Sequence, residues 1–305
     1  MAFDAFALIL AMLALGMLFS RLRVLPENAA DVLNRVVLYV CLPAAVLTYI
    51  PRLHPDATLF GLMLTPWILT AIVWGVLALL NKKLHLRRDE YAVLLICGAL
   101  GNTGFIGYPM ISALMGQQAL PYAVLYDQFG TFILLSTFGL YVLARYSGDT
   151  PLKPAQIVAR VLRFPPAWAL VFGLTLMPEN PPHWIATGLA SLSGAMLPLV
   201  MLAVGFSLRL RLPGNEITSL SIGLVLKLLI LPLIAWGLSW GLGMKGDILQ
   251  ANVLESAMPP MITAAALAIA HNLAPRLAAA LVGYGILLSL LTLPLWVGIL
   301  RLVYG

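Results

Sequence analysis

The chain has 305 residues, 61% of them hydrophobic and 10% charged, and its mean hydropathy is +0.97. An average soluble domain carries roughly 25% charged residues, so this composition excludes a soluble globular protein and leaves room for about ten membrane spans with short loops. The formal net charge of +6 does not indicate nucleic-acid binding, because basic residues in a polytopic protein mainly set orientation.

Apolar runs punctuated by proline, glycine and charge predict spans over residues 3–20, 29–50, 58–80, 91–115, 119–144, 155–177, 184–208, 216–242, 248–270 and 276–303. The first reads as a retained span and not a cleaved signal peptide, because no basic region precedes it and Arg21 and Arg23 follow it. Cys41 and Cys97 fall inside apolar segments, which suits packing better than a disulfide. The longest loop is expected in the Arg145–Ala155 region, and no segment suits a soluble domain.

Basic residues are distributed unevenly between the loops. Those after the odd-numbered spans, with their flanking turns, hold Arg21, Arg23, Lys82, Lys83, Arg87, Arg88, Arg145, Lys153, Arg160, Arg163, Arg209, Arg211 and Arg276. The opposite side has Arg52, Lys245 and Arg301, while Arg35 and Lys227 lie within spans. This bias predicts a multi-pass protein of the cytoplasmic (inner) membrane with both termini on the non-cytoplasmic side.

Two spans are interrupted. The fourth contains Gly101-Asn102-Thr103-Gly104-Phe105-Ile106-Gly107-Tyr108-Pro109, and the ninth contains Met258-Pro259-Pro260. Glycine and proline at this density break a helix, and the freed backbone groups need protein, ions or water as partners. Interrupted spans in corresponding places of two halves point to a transporter binding site. The halves do correspond: an offset of 155 residues places Leu42-Pro43 on Leu197-Pro198, Gly130 on Gly285, Thr137 on Thr292 and Gly104-Phe105 on Pro259-Pro260. Residues 1–150 and 151–305 thus read as two five-span repeats. An odd span count gives them opposite orientation, so the expected fold class is an all-α polytopic membrane protein of ten helices in two inverted repeats.

On these residues the chain resembles a bacterial member of the auxin efflux carrier family, which shares its fold with the bile acid sodium symporters. The resemblance is carried by Leu42-Pro43-Ala44, by the Gly101–Pro109 string, and by Asp127-Gln128, Leu226-Lys227-Leu228 with Pro232, and Ala257-Met258-Pro259-Pro260. It implies a scaffold of spans 1, 2, 6 and 7, a moving core of spans 3–5 and 8–10, and a crossing of spans 4 and 9 at their breaks. It also implies a small organic anion as substrate, such as the carboxylates indole-3-acetate, malate or malonate, and a homodimer like that of plant relatives. The short loop around Lys153 differs from the long cytoplasmic loop of plant members.

The candidate binding residues are Asn102, Thr103, Gly104, Pro109, Asp127, Gln128, Glu255, Pro259 and Pro260, with Lys227 as a charge partner. Asn102 and Thr103 can ligate a cation with side-chain oxygens, or Asn102 can simply cap the second half-helix. Pro109, Pro259 and Pro260 remove amide donors and keep the helices broken, and Gly104 permits close backbone approach. Glu255, in an apolar stretch, is by default a functional residue. It can ligate sodium together with Asn102, carry a proton, pair with Lys227, or face a watery vestibule. Asp127 and Gln128 suit either the ligand site or a network bracing span 5 against span 4. Lys227 suits a substrate carboxylate or a pair with Asp127 or Glu255. His54, His85, His183 and His271 show no ligand spacing, so no cofactor and no metal other than a coupling sodium ion is expected.

The function expected is a secondary active carrier of a small organic anion, working by alternating access and driven by the substrate gradient, the membrane potential or a coupled cation, sodium or a proton. Two other classes stay open. One is an intramembrane enzyme with Glu255 and Asp127 as acid and base; the other is a channel, which would need a polar stripe along several helices.

Overall fold

The computed structural model describes residues 2–53, 56, 58–148, 165–208 and 214–304, with side chains from residue 7 onward. His54, Lys153, Arg160, Arg163, Arg209, Arg211 and residues 155–164 of the sixth span lie outside them. Among the described residues every element is helical: α1 (Ala2–Leu22), α2 (Ala29–Arg52), α3 (Thr58–Leu84), α4 (Arg88–Ala99), α5 (Thr103–Met115), α6 (Gln117–Ser147), α7 (Pro165–Thr175), α8 (His183–Ser207), α9 (Gly214–Gly241), α10 (Gly246–Ser256), α11 (Ile262–Ala270) and α12 (Pro275–Tyr304). Six of these, α2, α3, α6, α8, α9 and α12, are long and apolar enough to cross a membrane. The fourth and ninth spans of the sequence reading are each divided, into α4 with α5 and α10 with α11.

The helices fall into two compact units. The first comprises Met1–Pro55, Gly104–Val124 and Leu162–Leu208; the second comprises Asp56–Thr103, Leu125–Val161 and Arg209–Gly305. In the first unit α1 and α8 cross so closely that a side-chain carbon on Gly16 would strike the Leu202 carbonyl oxygen, and one on Gly205 the Leu13 carbonyl oxygen. Glycine at such a crossing lets two membrane helices bring their backbones together without a hydrophobic driving force.

In the second unit α4 is buried on all sides from Glu90 to Ala99. A helix apolar all round belongs at a centre, and Leu94, Ile96 and Cys97 of α4 share a core with Leu69 and Val73 of α3, Leu226 of α9 and Leu281 of α12. Cys41 and Cys97 are both buried free thiols.

Three of the prolines inside these spans are tolerated by one recurring device. π-helical turns at Val37–Cys41, Thr103–Gly107 and Leu226–Ile230 are followed two residues later by Pro43, Pro109 and Pro232. A proline lacks the amide that would reach the carbonyl four residues back, and a widened turn relieves the ring clash at the cost of a less regular ladder. For Pro232 that carbonyl belongs to Leu228, and the indole N–H of buried Trp296 donates to it at 2.9 Å. Pro109 therefore does not keep the fourth span broken, as the sequence suggested. It lies in the first turn of the Tyr108–Met115 helix, Gly104 and Gly107 are helical as well, and the break is confined to residues 100–102.

At one end of the second unit Arg87 gathers three carboxylates. It forms a bidentate pair with Asp89 at 3.2 and 3.0 Å, and reaches Glu90 at 3.0 Å and Glu216 at 2.8 Å. Glu90 in turn accepts from Ser219 at 2.8 Å, so the start of α4 is tied to the start of α9. Burial opposes ionisation of Asp89, but the hydrogen bonds and charge of Arg87 outweigh it and hold the carboxyl below its ordinary value.

Two outcomes follow from this packing. Trp296→Phe should lower stability by about 1–3 kcal/mol, the cost of a buried carbonyl left unpaired. The loss should shrink in a Pro232→Ala background, where the restored amide takes the Leu228 carbonyl; a thermal-unfolding double-mutant cycle measures the difference. Because Asp89 has a lowered folded pKa, its contribution is complete above the ordinary carboxyl value of 3.8 and is lost as pH falls through the lower folded value. The gap in melting temperature between wild type and Asp89→Asn should accordingly be present at neutral pH and close in acid.

Candidate functional site

The site is built from the two breaks in the second unit. After α4 ends at Ala99 the chain is extended at Leu100 (φ −91°, ψ 112°), and after α10 it is extended again at Met261 (φ −67°, ψ 124°), just before α11. Gly101 and Pro260 pair as antiparallel strand residues. The Asn102 amide donates to the Pro259 carbonyl at 2.8 Å, and the Met261 amide donates to the Leu100 carbonyl at 3.0 Å. Backbone freed by one break thus satisfies backbone freed by the other, which is what an apolar surrounding demands. Pro259 serves as an acceptor, and Pro260 packs where any side chain on Gly285 would crowd its ring (2.6 Å to Cδ).

Around this pairing lies a buried polar cluster. Asn102, Thr103, Asp127, Gln128, Lys227, Glu255 and Ser256 are all at most 5% exposed. Asp127 and Gln128 open a π turn of α6, and Lys227 lies in the π turn of α9; such turns recur at functional positions because they re-aim side chains. Thr103 donates to one Asp127 oxygen at 2.6 Å, and Gln128 donates to the other at 2.8 Å. This ties α5 to α6 and realises the bracing network that the sequence offered as one reading of Asp127 and Gln128. Ser256 donates to the Asn252 carbonyl at 2.7 Å and lies 3.0 Å from the Tyr126 hydroxyl.

Lys227 does not pair with Glu255 by a hydrogen bond. Its ammonium donates to the Ser256 carbonyl at 3.3 Å and lies beside Gly101, where a Cβ would come within 2.9 Å of Nζ. Gly101 therefore serves as space for a cation. Both carboxylate oxygens of Glu255 and both polar side-chain atoms of Asn102 are buried without a hydrogen-bond partner, so Asn102 does not cap α5 through its side chain. Groups left this way are costly and rare in native proteins.

The second unit therefore brings together Asn102, Thr103, Asp127, Gln128, Lys227, Glu255, Pro259 and Pro260. Gly104 and Pro109 belong to α5 within the first unit. Sequence reasoning did not single out Ser256, Tyr126 or the space-making role of Gly101. The signal for Ser256 was its place at the end of a half-helix, next to Glu255 and just before a Pro-Pro break. Among the described residues no group of His, Cys, Asp and Glu is arranged as a transition-metal site.

Charge bookkeeping defines what the cluster can do. Asp127 and Glu255 together carry two negative charges when ionised, and Lys227 supplies one positive charge. One carboxylate remains uncompensated away from water, where an isolated charge is strongly disfavoured. A proton or a hard cation such as sodium, held by carboxylate and amide oxygens, removes the imbalance.

The chain matches the family described as membrane transport protein over residues 1–297. It is 34% identical to an uncharacterized transporter of Methanothermobacter thermautotrophicus over 94% of this chain and 95% of that one. It is 28% identical to an uncharacterized transporter of Methanocaldococcus jannaschii, over 96% and 97% of the two chains. A third relative, the uncharacterized transporter YfdV of Escherichia coli K12, is 25% identical over 97% of this chain and 96% of its own. With a full-length match, broken spans paired at their breaks and a polar cluster around them, this multi-pass membrane protein belongs to the membrane transport protein family, the auxin efflux carrier family.

Proposed function

We propose that the protein is a secondary active carrier that moves a small organic anion, a carboxylate, across the cytoplasmic membrane by alternating access. Glu255 and Asn102 form its coupling-cation site, for sodium or a proton, and Lys227 supplies the positive charge that a carboxylate needs nearby. The observation that carries this reading is the pair of unpartnered buried side chains, Glu255 and Asn102, on the two interrupted spans. A scaffold and a moving core, ten spans in two inverted repeats and termini on the non-cytoplasmic side complete the proposal. The repeats and the orientation are supported by the internal repeat and the basic-residue bias of the sequence, and the scaffold and core by the family to which the chain belongs.

The mechanism follows from the charges. Cation or proton uptake at Glu255 neutralises the spare carboxylate and leaves Lys227 available to an anion. Loss of that cation restores the negative charge and repels the anion, so binding of the two is linked and reciprocal. The half-helix α11 begins beside the same pairing and adds the positive end of its dipole. An enzyme reading would need a reacting atom held between Glu255 and Asp127, yet both Asp127 oxygens are already engaged by Thr103 and Gln128.

Ligand-dependent thermal stabilisation tests this directly, because a ligand of the folded state raises apparent stability by mass action. Purified protein is heated with malate, malonate, indole-3-acetate or benzoate, each with and without sodium and at two pH values. Stabilisation by a carboxylate that grows with sodium, or with acid, is expected. Glu255→Gln should abolish that cation dependence while unfolding as cooperatively as wild type; unchanged dependence removes Glu255 from the mechanism. Asn102→Ala should weaken the apparent affinity about tenfold or more, the worth of a hydrogen bond to a charged group. Equal affinity in that variant would remove Asn102 from the ligand site.

A further inference from the structure

The first unit holds a cavity of its own. It has a volume of about 560 Å³ and lies between the end of α2, the start of α6 and α8, with Pro181 of the preceding loop at its edge. That is within the range of small-molecule sites, roughly 300–1,000 Å³.

Its lining has one sign of charge. Arg52 is exposed into it, and among the described residues Arg52 has no ion pair and no carboxylate lines the cavity. The hydroxyls of Thr48 and Ser191 are already spent on carbonyls of their own helices, Ala44 at 2.7 Å and Thr187 at 2.9 Å. The Tyr49 hydroxyl, the Thr187 hydroxyl and the Gln117 amide have no such partner among the described residues and remain available as donors. Tyr49 is 5% exposed, so its ring is fixed by packing before any ligand arrives. Ala186, Leu189 and Ala190 supply an apolar wall.

A guanidinium offers two parallel donors that match a carboxylate, and the neighbouring hydroxyls and amide can bind its remaining lone pairs. The end of α2, the start of α6 and the first turns of α8 meet here, and Arg52 is the single basic residue among those that line the cavity. On this side of the chain, the basic-poor and hence non-cytoplasmic one, Arg52 stands out against a weakly charged background.

We propose that this cavity is a second anion site, which captures a small organic carboxylate at the non-cytoplasmic face through Arg52, Tyr49, Thr187 and Gln117. It shares no residue with the Glu255–Asn102 cluster and does not depend on the coupling assigned there. The carboxylate class follows from the combination of one planar cation, neutral donors and an aliphatic wall. A highly charged phosphate would call for more than one cation.

Differential labelling of Arg52 with phenylglyoxal, read residue by residue by mass spectrometry, tests it in full-length protein purified in detergent. Malate and benzoate are the probes, with potassium chloride at matched ionic strength as control and the exposed Arg276 as internal reference. Malate or benzoate should slow labelling of Arg52 several-fold and leave Arg276 unchanged, in wild type and equally in Asn102→Ala. Tyr49→Phe and Thr187→Val should each raise the half-protecting concentration about threefold to tenfold. Protection that potassium chloride or inorganic phosphate reproduces, or that both variants leave untouched, overturns the carboxylate site. Protection that vanishes in Asn102→Ala overturns its independence from the central cluster. Failure at Arg52 with intact carboxylate stabilisation of the protein leaves the carrier reading standing alone.

Discussion

Two backbone hydrogen bonds, Asn102 N–H to the Pro259 carbonyl and Met261 N–H to the Leu100 carbonyl, hold the second unit's site together. Breaking a helix inside a membrane exposes amides and carbonyls that lipid cannot satisfy. One break alone would need water or an ion to survive there. Two breaks set against each other solve the problem internally, and in doing so they fix Gly101, Asn102 and Pro260 within one small volume. Each of the flanking half-helices then ends or begins at that volume, so helix-terminal groups and side chains converge on it without a loop to carry them.

The polar side chains around the pairing divide into satisfied and unsatisfied groups. Asp127 is held by Thr103 and Gln128, and Lys227 is accommodated by the missing side chain of Gly101 and by the Ser256 carbonyl. Glu255 and Asn102 are buried and left without hydrogen-bond partners. Satisfied polar groups rigidify a core, whereas orphaned buried ones are costly and rare. This division separates side chains whose polar atoms are engaged from those whose polar atoms are not.

Three prolines placed two residues beyond π turns show a second economy in the fold. Pro43, Pro109 and Pro232 sit inside otherwise continuous apolar helices, and at Pro232 the orphaned Leu228 carbonyl is taken by Trp296 from 68 residues away. The π turn at Leu226–Ile230 also carries Lys227, so the same distortion that tolerates Pro232 brings an ammonium to the central cluster. Backbone irregularity and a buried charge share one location.

The sequence by itself determined the membrane class, the approximate limits of the helices, the two interrupted spans and most of the polar residues near them. These are local properties: apolar runs, glycine and proline density, and the conspicuous cost of charge in an apolar stretch all lie within a few turns of chain. Only the tertiary structure decided which groups meet. Pairing of Gly101 with Pro260 joins residues far apart in sequence, and no periodicity reports it. Pro109 looked like part of the break because proline disrupts a helix in general; the neighbouring π turn absorbed it. Lys227 and Glu255 looked like a hydrogen-bonded pair because opposite charges attract, yet the ammonium donates to the Ser256 carbonyl beside Gly101 and acts on Glu255 by charge alone. The cavity beside Arg52 was invisible for the same reason, since Arg52 of α2, Gln117 of α6 and Thr187 of α8 become neighbours only when these helices pack.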